Sequence, residues 1–313
     1  MGGDYDNRYS RCSSSSAPNI TYITDLDLFF RTGDRKHLFD AYRNFMLTES
    51  AGFIQQVIDG GKTEIVKEFS EYEIESKLEL RIEGNSAQKY KLEDIMDTFE
   101  FSPTPTARFI KDASNAESSG INHFFGTAEG EERFVLIDKY QKWYLKEKGP
   151  REEYHYGLPG EEYVFKRKET RKETTPLEVA QTILENYADG KTVYAGGISK
   201  NRVEAHLLQT ITKRIYSLTV DYIETEKDQP IGMLQFEVEY AGRIKYWKIP
   251  DVDPEKAIVD DILAILKQII FLHNGAQLPG GQQLHIAPSL TRKFDFVQVA
   301  QEKVPALVRG RKR

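Results

Sequence analysis

The sequence predicts an α+β protein in which antiparallel strands outnumber helices. Seven segments alternate apolar and polar residues with period two and are rich in β-branched or aromatic side chains, as expected of strands with one buried face. They are residues 69–83, 132–138, 142–148, 162–172, 192–206, 213–223 and 233–248. Three helical segments are interspersed among them and no internal repeat is present, so the pattern favours the α+β class.

The three helices are predicted from apolar periodicity and from their capping residues. Residues 91–99 form a short amphipathic segment. The second helix, 176–188, opens with a capping box formed by Thr175 and Glu178. The third, 253–274, starts at an Asp-Pro pair, ends at an Asn-Gly pair and carries an apolar stripe. Each helix therefore offers an apolar face that can pack on the sheet.

Two predicted strands place paired carboxylates on one face. In the first strand every second position is charged, so Glu73, Glu75 and Lys77 lie side by side. In the last strand, Glu237 and Glu239 share a face in the same way. Their apolar neighbours face the opposite side and are expected to pack against helices. Carboxylates beside an ammonium group can hold a hard divalent cation together with an anionic ligand.

Other predicted strands place positive charges at the same spacing. Their basic residues are Arg133, Lys146, Lys148, Lys200 and Arg202, with either Arg167 or the pair Lys166 and Lys168 in segment 162–172. The register of that segment is left open, because a one-residue slip exchanges its two faces. If the strands close into a barrel with the charged faces inward, the lumen carries both signs of charge and requires a ligand. The implied ligand is a metal-bound polyanion.

Composition and missing motifs exclude several classes. The chain has 313 residues and a net charge of −6, too mild to indicate nucleic-acid binding. Its single cysteine, Cys12, permits no internal disulfide and indicates a reducing, cytoplasmic compartment. No apolar run is long enough for a membrane span, and the histidines lack zinc-site spacing. A P-loop is excluded by Glu185, which stands where a glycine is needed, and no nucleophile elbow is present.

Taken together, the charged motifs resemble the CYTH, or triphosphate tunnel metalloenzyme, superfamily. They are Glu73-x-Glu75-x-Lys77, the segment from Trp143 to Pro150, Arg167-Lys-Glu169, Lys200-x-Arg202 and Glu237-x-Glu239, in the family's order. Any one of them alone is more typical of a solvated strand face, so the resemblance depends on the ordered set across residues 69–272. It implies a closed antiparallel eight-stranded β-barrel, or tunnel, with flanking helices.

The resemblance also implies roles for individual residues. Glu73, Glu75, Glu237 and Glu239 would be ligands of Mg²⁺ or Mn²⁺, and phosphate oxygens would be bound by Lys77, Arg133, Lys146, Lys148, Arg167, Lys200 and Arg202. Asp221 would orient a lysine or hold a second metal ion, so Lys77 and Asp221 are the candidate catalytic residues. The tunnel domain would span 66–275, after an N-terminal extension with a disordered start and a helix, 1–65, and before a C-terminal tail, 276–313.

Three function classes are compatible with these motifs. The first is metal-dependent hydrolysis of an inorganic or organic triphosphate, and the second is a cyclase resembling the class IV adenylyl cyclases. The third is a non-catalytic module that binds polyphosphate or a nucleotide. The expected partner is a small triphosphate or nucleotide, with no membrane and no nucleic acid other than a triphosphate-ended RNA. The choice among substrates, and a homo-oligomeric state, are left open.

Overall fold

The described part of the chain begins just before the first predicted strand. This computed structural model describes residues 65–84, 91–101, 108–111, 115–140, 142–156, 162–175, 192–226, 231–244 and 253–302, together with Lys36 and five positions between 178 and 185. Those five positions are helical, in agreement with the second predicted helix. The predicted N-terminal extension, 1–65, lies outside the described residues apart from helical Lys36 and its last residue, Ile65.

Eight strands, numbered in chain order, close into an antiparallel barrel. Around the barrel they are β10 (Gly232–Ile244), β9 (Arg214–Thr225), β8 (Thr192–Gln209), β4 (Ala116–Thr127), β5 (Glu132–Lys139), β6 (Lys142–Tyr156), β7 (Glu162–Thr174) and β2 (Tyr72–Glu83). The barrel is closed because β2 pairs with β10 as well as with β7. The predicted eight-stranded antiparallel tunnel is therefore confirmed.

Shorter strands and helices flank the barrel. The strands are β1 (Ile65–Val66), which pairs with β10, β3 (Phe109–Lys111), which pairs with β8, and β11 (Gln283–Pro288), which pairs with β2. The described helices are α1 (Leu92–Thr98), α2 (Pro254–His273) and α3 (Lys293–Glu302). This arrangement is α+β, as predicted. None of the described helices combines the length and apolar character needed to cross a bilayer.

The alternation of β2 separates the lumen from the core. Ile74 and Leu78 are 1% exposed and join the main core with Ile258 and Ile262 of α2. Asp253 caps the N-terminus of α2, and its side chain accepts a hydrogen bond from the backbone N–H of Lys256. The apolar positions of β2 therefore pack outward against a helix, as predicted, and the charged positions between them face inward.

Strand β4 is absent from the predicted strands because its first half is made of small polar residues, with few β-branched or aromatic side chains. The structure requires a small residue there. A Cβ atom at Gly120 would lie 2.9 Å from the carbonyl oxygen of Asp138 and 3.3 Å from the Cβ of Lys139. The glycine therefore permits the close approach of β4 and β5.

Within the predicted C-terminal tail, 276–313, the described residues up to 302 include strand β11 and helix α3. Strand β11 extends the sheet from β2 and buries Leu284 and Ile286, while α3 buries Phe294, Val297 and Ala300. The apolar spacing of α3 is that of a helix face. Both elements are short, with six residues in β11 and ten in α3, so their stability depends on burial against the barrel.

Candidate functional site

The barrel encloses a charged cavity of about 550 Å³. Eleven Lys or Arg and seven Glu side chains line it. Ten of the twelve predicted site residues are among them: Glu73, Glu75, Lys77, Lys146, Lys148, Arg167, Lys200, Arg202, Glu237 and Glu239. The charged strands, distant in sequence, thus come together in one lumen with an excess of positive charge.

The two acidic strands are neighbours, and Lys77 lies between them. The pairing of β2 with β10 sets Glu237 opposite Lys77 and Glu239 opposite Glu75. The Nζ of Lys77 lies 2.6 Å from Glu237 Oε1 and 2.8 Å from Glu75 Oε1. Burial alone would lower the pKa of Lys77, but the adjacent carboxylates outweigh it and raise this pKa above its ordinary value. Lys77 is therefore a fixed positive charge.

The register of β7 places Arg167 in the lumen. It lies opposite Glu73, and its Nε donates to Glu73 Oε2 at 2.7 Å. Burial would lower the pKa of Arg167, but Glu73 and its neighbours raise it. The adjacent lysines face outward, since Lys166 pairs with Glu255 of α2 at 2.7 Å and Lys168 is exposed. The sequence alone leaves the register of this strand open, and in the structure Arg167 faces the lumen.

Asp221 orients Arg202 in a two-point ion pair. The Nε and Nη2 of Arg202 donate to Oδ1 and Oδ2 of Asp221 at 2.6 and 2.7 Å, and Nη2 also donates to Glu237 at 2.7 Å. Asp221 is fully buried. Burial would raise the pKa of Asp221, but Arg202 and nearby lysines hold it well below its usual range. This bidentate geometry fixes the direction of the guanidinium.

Lys200 lines the lumen close to two other cations, Arg202 and Lys293. Within the described residues, no carboxylate forms an ion pair with it. Burial, followed by repulsion from Arg202, lowers the pKa of Lys200 well below its ordinary value. The same two causes, in the same order, lower the pKa of the lumenal Lys139. A cation in this position is destabilised unless an anion accompanies it, which is the electrostatic requirement of a phosphate-binding site.

Helix α3, which lies within the predicted C-terminal tail, contributes to the lumen. Lys293 Nζ lies 2.8 Å from Asp221 Oδ2 and 2.7 Å from Glu237 Oε1. Arg292 also lines the cavity. The only local signal was the basic pair at the start of an amphipathic segment, and such pairs are common on solvated helices.

The apolar face of α3 caps one end of the lumen. Phe294 is fully buried and clusters with Phe124, Ile198 and Ile223. Ile198 on β8 and Ile223 on β9 lie on the same strand faces as Lys200 and Asp221, so their side chains point towards the lumen. A Cβ at Gly126 would lie only 2.4 Å from the Phe294 ring, so a glycine is needed for the helix to approach.

Arg133 is the one predicted phosphate-binding residue that the structure does not bring into the cavity lining. The register of β4 with β5 shifts between Phe125 and Gly126, which pair with Phe134 and Glu132. Because of this irregularity, Glu132 and not Arg133 faces the lumen. Glu132 lines the cavity instead and accepts a hydrogen bond from Arg167 at 3.1 Å. Arg133 donates to Thr192 Oγ1 at 2.8 Å.

The four predicted metal ligands lie on the neighbouring strands β2 and β10. Glu73, Glu75, Glu237 and Glu239 supply hard oxygen donors on adjacent strands. In the described part of the chain, however, no three His, Cys, Asp or Glu side chains are grouped closely enough to hold an ion. Glu239 is half-buried beside Glu73, and this partial burial together with repulsion from Glu73 raises its pKa to about 7. A cation would relieve that repulsion, so the donor chemistry fits a divalent metal.

The eight strands form a closed antiparallel tunnel with a charged lumen, which is the fold that the sequence resemblance implies. Solved structures with a similar chain path include the PH1819 protein from Pyrococcus horikoshii OT3, at 13% identity and TM-score 0.37 over 74% of this chain and 99% of that one. The Pct1 RNA triphosphatase of S. pombe is similar at 11% identity and TM-score 0.32, over 72% of this chain and 92% of that one. In its complex with the Spt5 CTD the coverage of Pct1 is 91%. No family profile matches the sequence, and neither does any curated protein.

Proposed function

We propose that this protein hydrolyses a triphosphate inside the tunnel, with a divalent metal ion. The observation that carries the proposal is the surplus of lumenal cations, above all Lys200, which has no described carboxylate partner. Without a bound anion, these like charges lie close together and away from bulk water. A polyanion supplies the missing negative charge, because its phosphate oxygens can contact the Lys and Arg side chains that line the lumen on several sides.

The proposed chemistry is mainly electrostatic. Water bonds to the terminal phosphorus and the bridging oxygen leaves with the bonding electron pair. The leaving oxygen or solvent takes up the proton that the water gives up, and inorganic phosphate is released. Lys77, Lys200 and Arg202 neutralise charge on the phosphoryl oxygens as it develops, assisted by Lys146, Lys148 and Arg167. Asp221 keeps Arg202 in place, so these groups need little reorganisation during the reaction.

The metal ion in this proposal is Mg²⁺ or Mn²⁺, held by carboxylates among Glu73, Glu75, Glu237 and Glu239. When bound, such an ion polarises the phosphoryl group and neutralises part of its charge. Glu75 and Glu237 each contact Lys77, so they also set the position of that ammonium. Their substitution is expected to disturb both metal and phosphate binding.

One observation favours a second candidate, a module that binds polyphosphate or a nucleotide without catalysis. Glu73, Glu75 and Glu237 are already neutralised by Arg167, Lys77 and Lys293. A tunnel that balances its carboxylates internally can bind a polyanion through its surplus cations alone. Binding and hydrolysis are separated by their dependence on metal.

A substrate panel tests the proposal. Tripolyphosphate, nucleoside triphosphates, thiamine triphosphate and triphosphate-ended RNA are each assayed with Mg²⁺, with Mn²⁺ and with a chelator. We expect inorganic phosphate from at least one compound, only with metal, and loss of that activity in Glu75→Gln and Glu239→Gln. Pyrophosphate with cyclic nucleotide would instead support a cyclase. Binding without turnover would support the binding module.

Calorimetric titration of metal separates the two roles of the carboxylates. Glu75→Gln and Glu239→Gln should weaken Mg²⁺ or Mn²⁺ binding while leaving the fold intact. Glu79→Gln is the matched control, because Glu79 lies on the same strand and pairs with exposed Arg81. Unchanged metal binding in both lumenal variants would contradict the ligand assignment.

A further inference from the structure

The segment that precedes the barrel is firmly attached to its rim. Strand β1 pairs Ile65 with Ile244 and Val66 with Arg243. Glu68 accepts a hydrogen bond from Arg243 Nε at 2.5 Å, outside the lumen. Phe69 packs against the main core and adopts a φ of 58° in a turn closed by a backbone hydrogen bond. A left-handed conformation at a bulky residue is strained, so the surrounding contacts must hold this turn in place.

This attachment directs Lys67 into the cavity. Lys67 and Ser70 line the lumen, and Lys67 Nζ lies 3.4 Å from Glu239 Oε1. The Lys67 and Glu239 side chains are 32% and 34% exposed, in contrast to 6% for Lys77. A long, partly solvated ion pair stabilises a fold very little. Stability therefore does not explain why the rim carries this lysine.

The geometry points to Lys67 as a further substrate-binding residue, a cation at the rim that contacts the outer part of a polyphosphate chain whose inner part lies at Lys77 and Arg202. This inference rests on the proposed function. The anchored backbone of residues 65–70 fixes where the side chain starts, and its weak contact with Glu239 leaves the ammonium available for an entering anion. The residues before the barrel would thus complete the site.

Calorimetric titration of the full chain with pyrophosphate and with tripolyphosphate tests this role. A short chain held at the inner cations does not reach the rim, whereas a longer one does. We expect Lys67→Met to weaken tripolyphosphate binding about tenfold, as for loss of a charge-assisted hydrogen bond, and pyrophosphate binding less than about twofold. Lys67→Arg should restore most of the affinity. Lys168→Met is the matched control, since Lys168 is exposed on the outer face of the barrel.

The outcomes separate this inference from the proposed function. Unchanged tripolyphosphate affinity in Lys67→Met would overturn the role of Lys67, and so would equal losses for both ligands, which would indicate a general structural effect. If the wild-type protein binds neither ligand, the proposed function fails, and the role of Lys67 fails with it.

Discussion

At the scale of residues, the lumen combines closed ion pairs with unbalanced cations. Lys77 and Arg167 are each neutralised by carboxylates within 3 Å, and both are fixed in direction. Lys200 has no such partner among the described residues, and its depressed pKa reflects burial beside other cations. The Lys200 side chain therefore lowers the stability of the fold but favours binding of an anion.

Lys200→Met is expected to stabilise the empty protein at neutral pH. A lysine whose pKa is lowered by folding costs stability wherever both states are protonated, and the cost disappears once pH exceeds the ordinary lysine pKa of about 10.4. The variant should thus have the higher free energy of unfolding at pH 7, with the advantage shrinking towards pH 10. Urea denaturation across this range measures it. A variant less stable than wild type at every pH would contradict the assignment.

Arg202→Lys is expected to lower both stability and ligand affinity. A lysine cannot reproduce the two-point contact with Asp221 or reach Glu237 at the same time. Asp221 would be left fully buried with poorer compensation, at a cost of about 1–3 kcal/mol. Denaturant unfolding and tripolyphosphate titration measure the two effects. Wild-type values in both would mean that the guanidinium geometry is unimportant.

At the scale of elements, local pattern explains the strands better than the segments that complete the site. Strands β2 and β10 could be predicted because charged and apolar residues alternate along them. The lumenal position of Arg167 could not be decided, since both faces of β7 carry basic residues and only pairing with Glu73 fixes the register. Lys293 could not be found at all, because its contacts with Asp221 and Glu237 depend on where α3 docks.

The docking of α3 is expected to depend on Phe294. Phe294→Ala removes a fully buried ring and should cost about 3–5 kcal/mol of stability if the site does not collapse. Because Lys293 precedes it, tripolyphosphate affinity should fall as well. Val299→Ala is the control on the same helix, as Val299 is 47% exposed and should change stability by less than about 0.5 kcal/mol. Equal effects of the two substitutions would show that α3 is not anchored by its apolar face.

At the scale of the whole molecule, closure of the barrel brings the separate charged strands around a single lumen. The β2–β10 pairing brings the first motif strand beside the last one, so residues more than 150 positions apart share Lys77 as a common partner. The outer faces of the strands carry the core and α2, which leaves the lumen free for polar groups. The sequence predicted this division through its alternation, whereas capping of one end by α3 is a property of the assembled fold.

The lumen is proposed as the binding site for a triphosphate. A crystal structure of the protein with tripolyphosphate tests it most directly. We expect difference density for the phosphate chain inside the barrel, within hydrogen-bond distance of Lys77, Lys200 and Arg202. Density on an outer face alone, or an empty lumen at concentrations that saturate binding in solution, would contradict it.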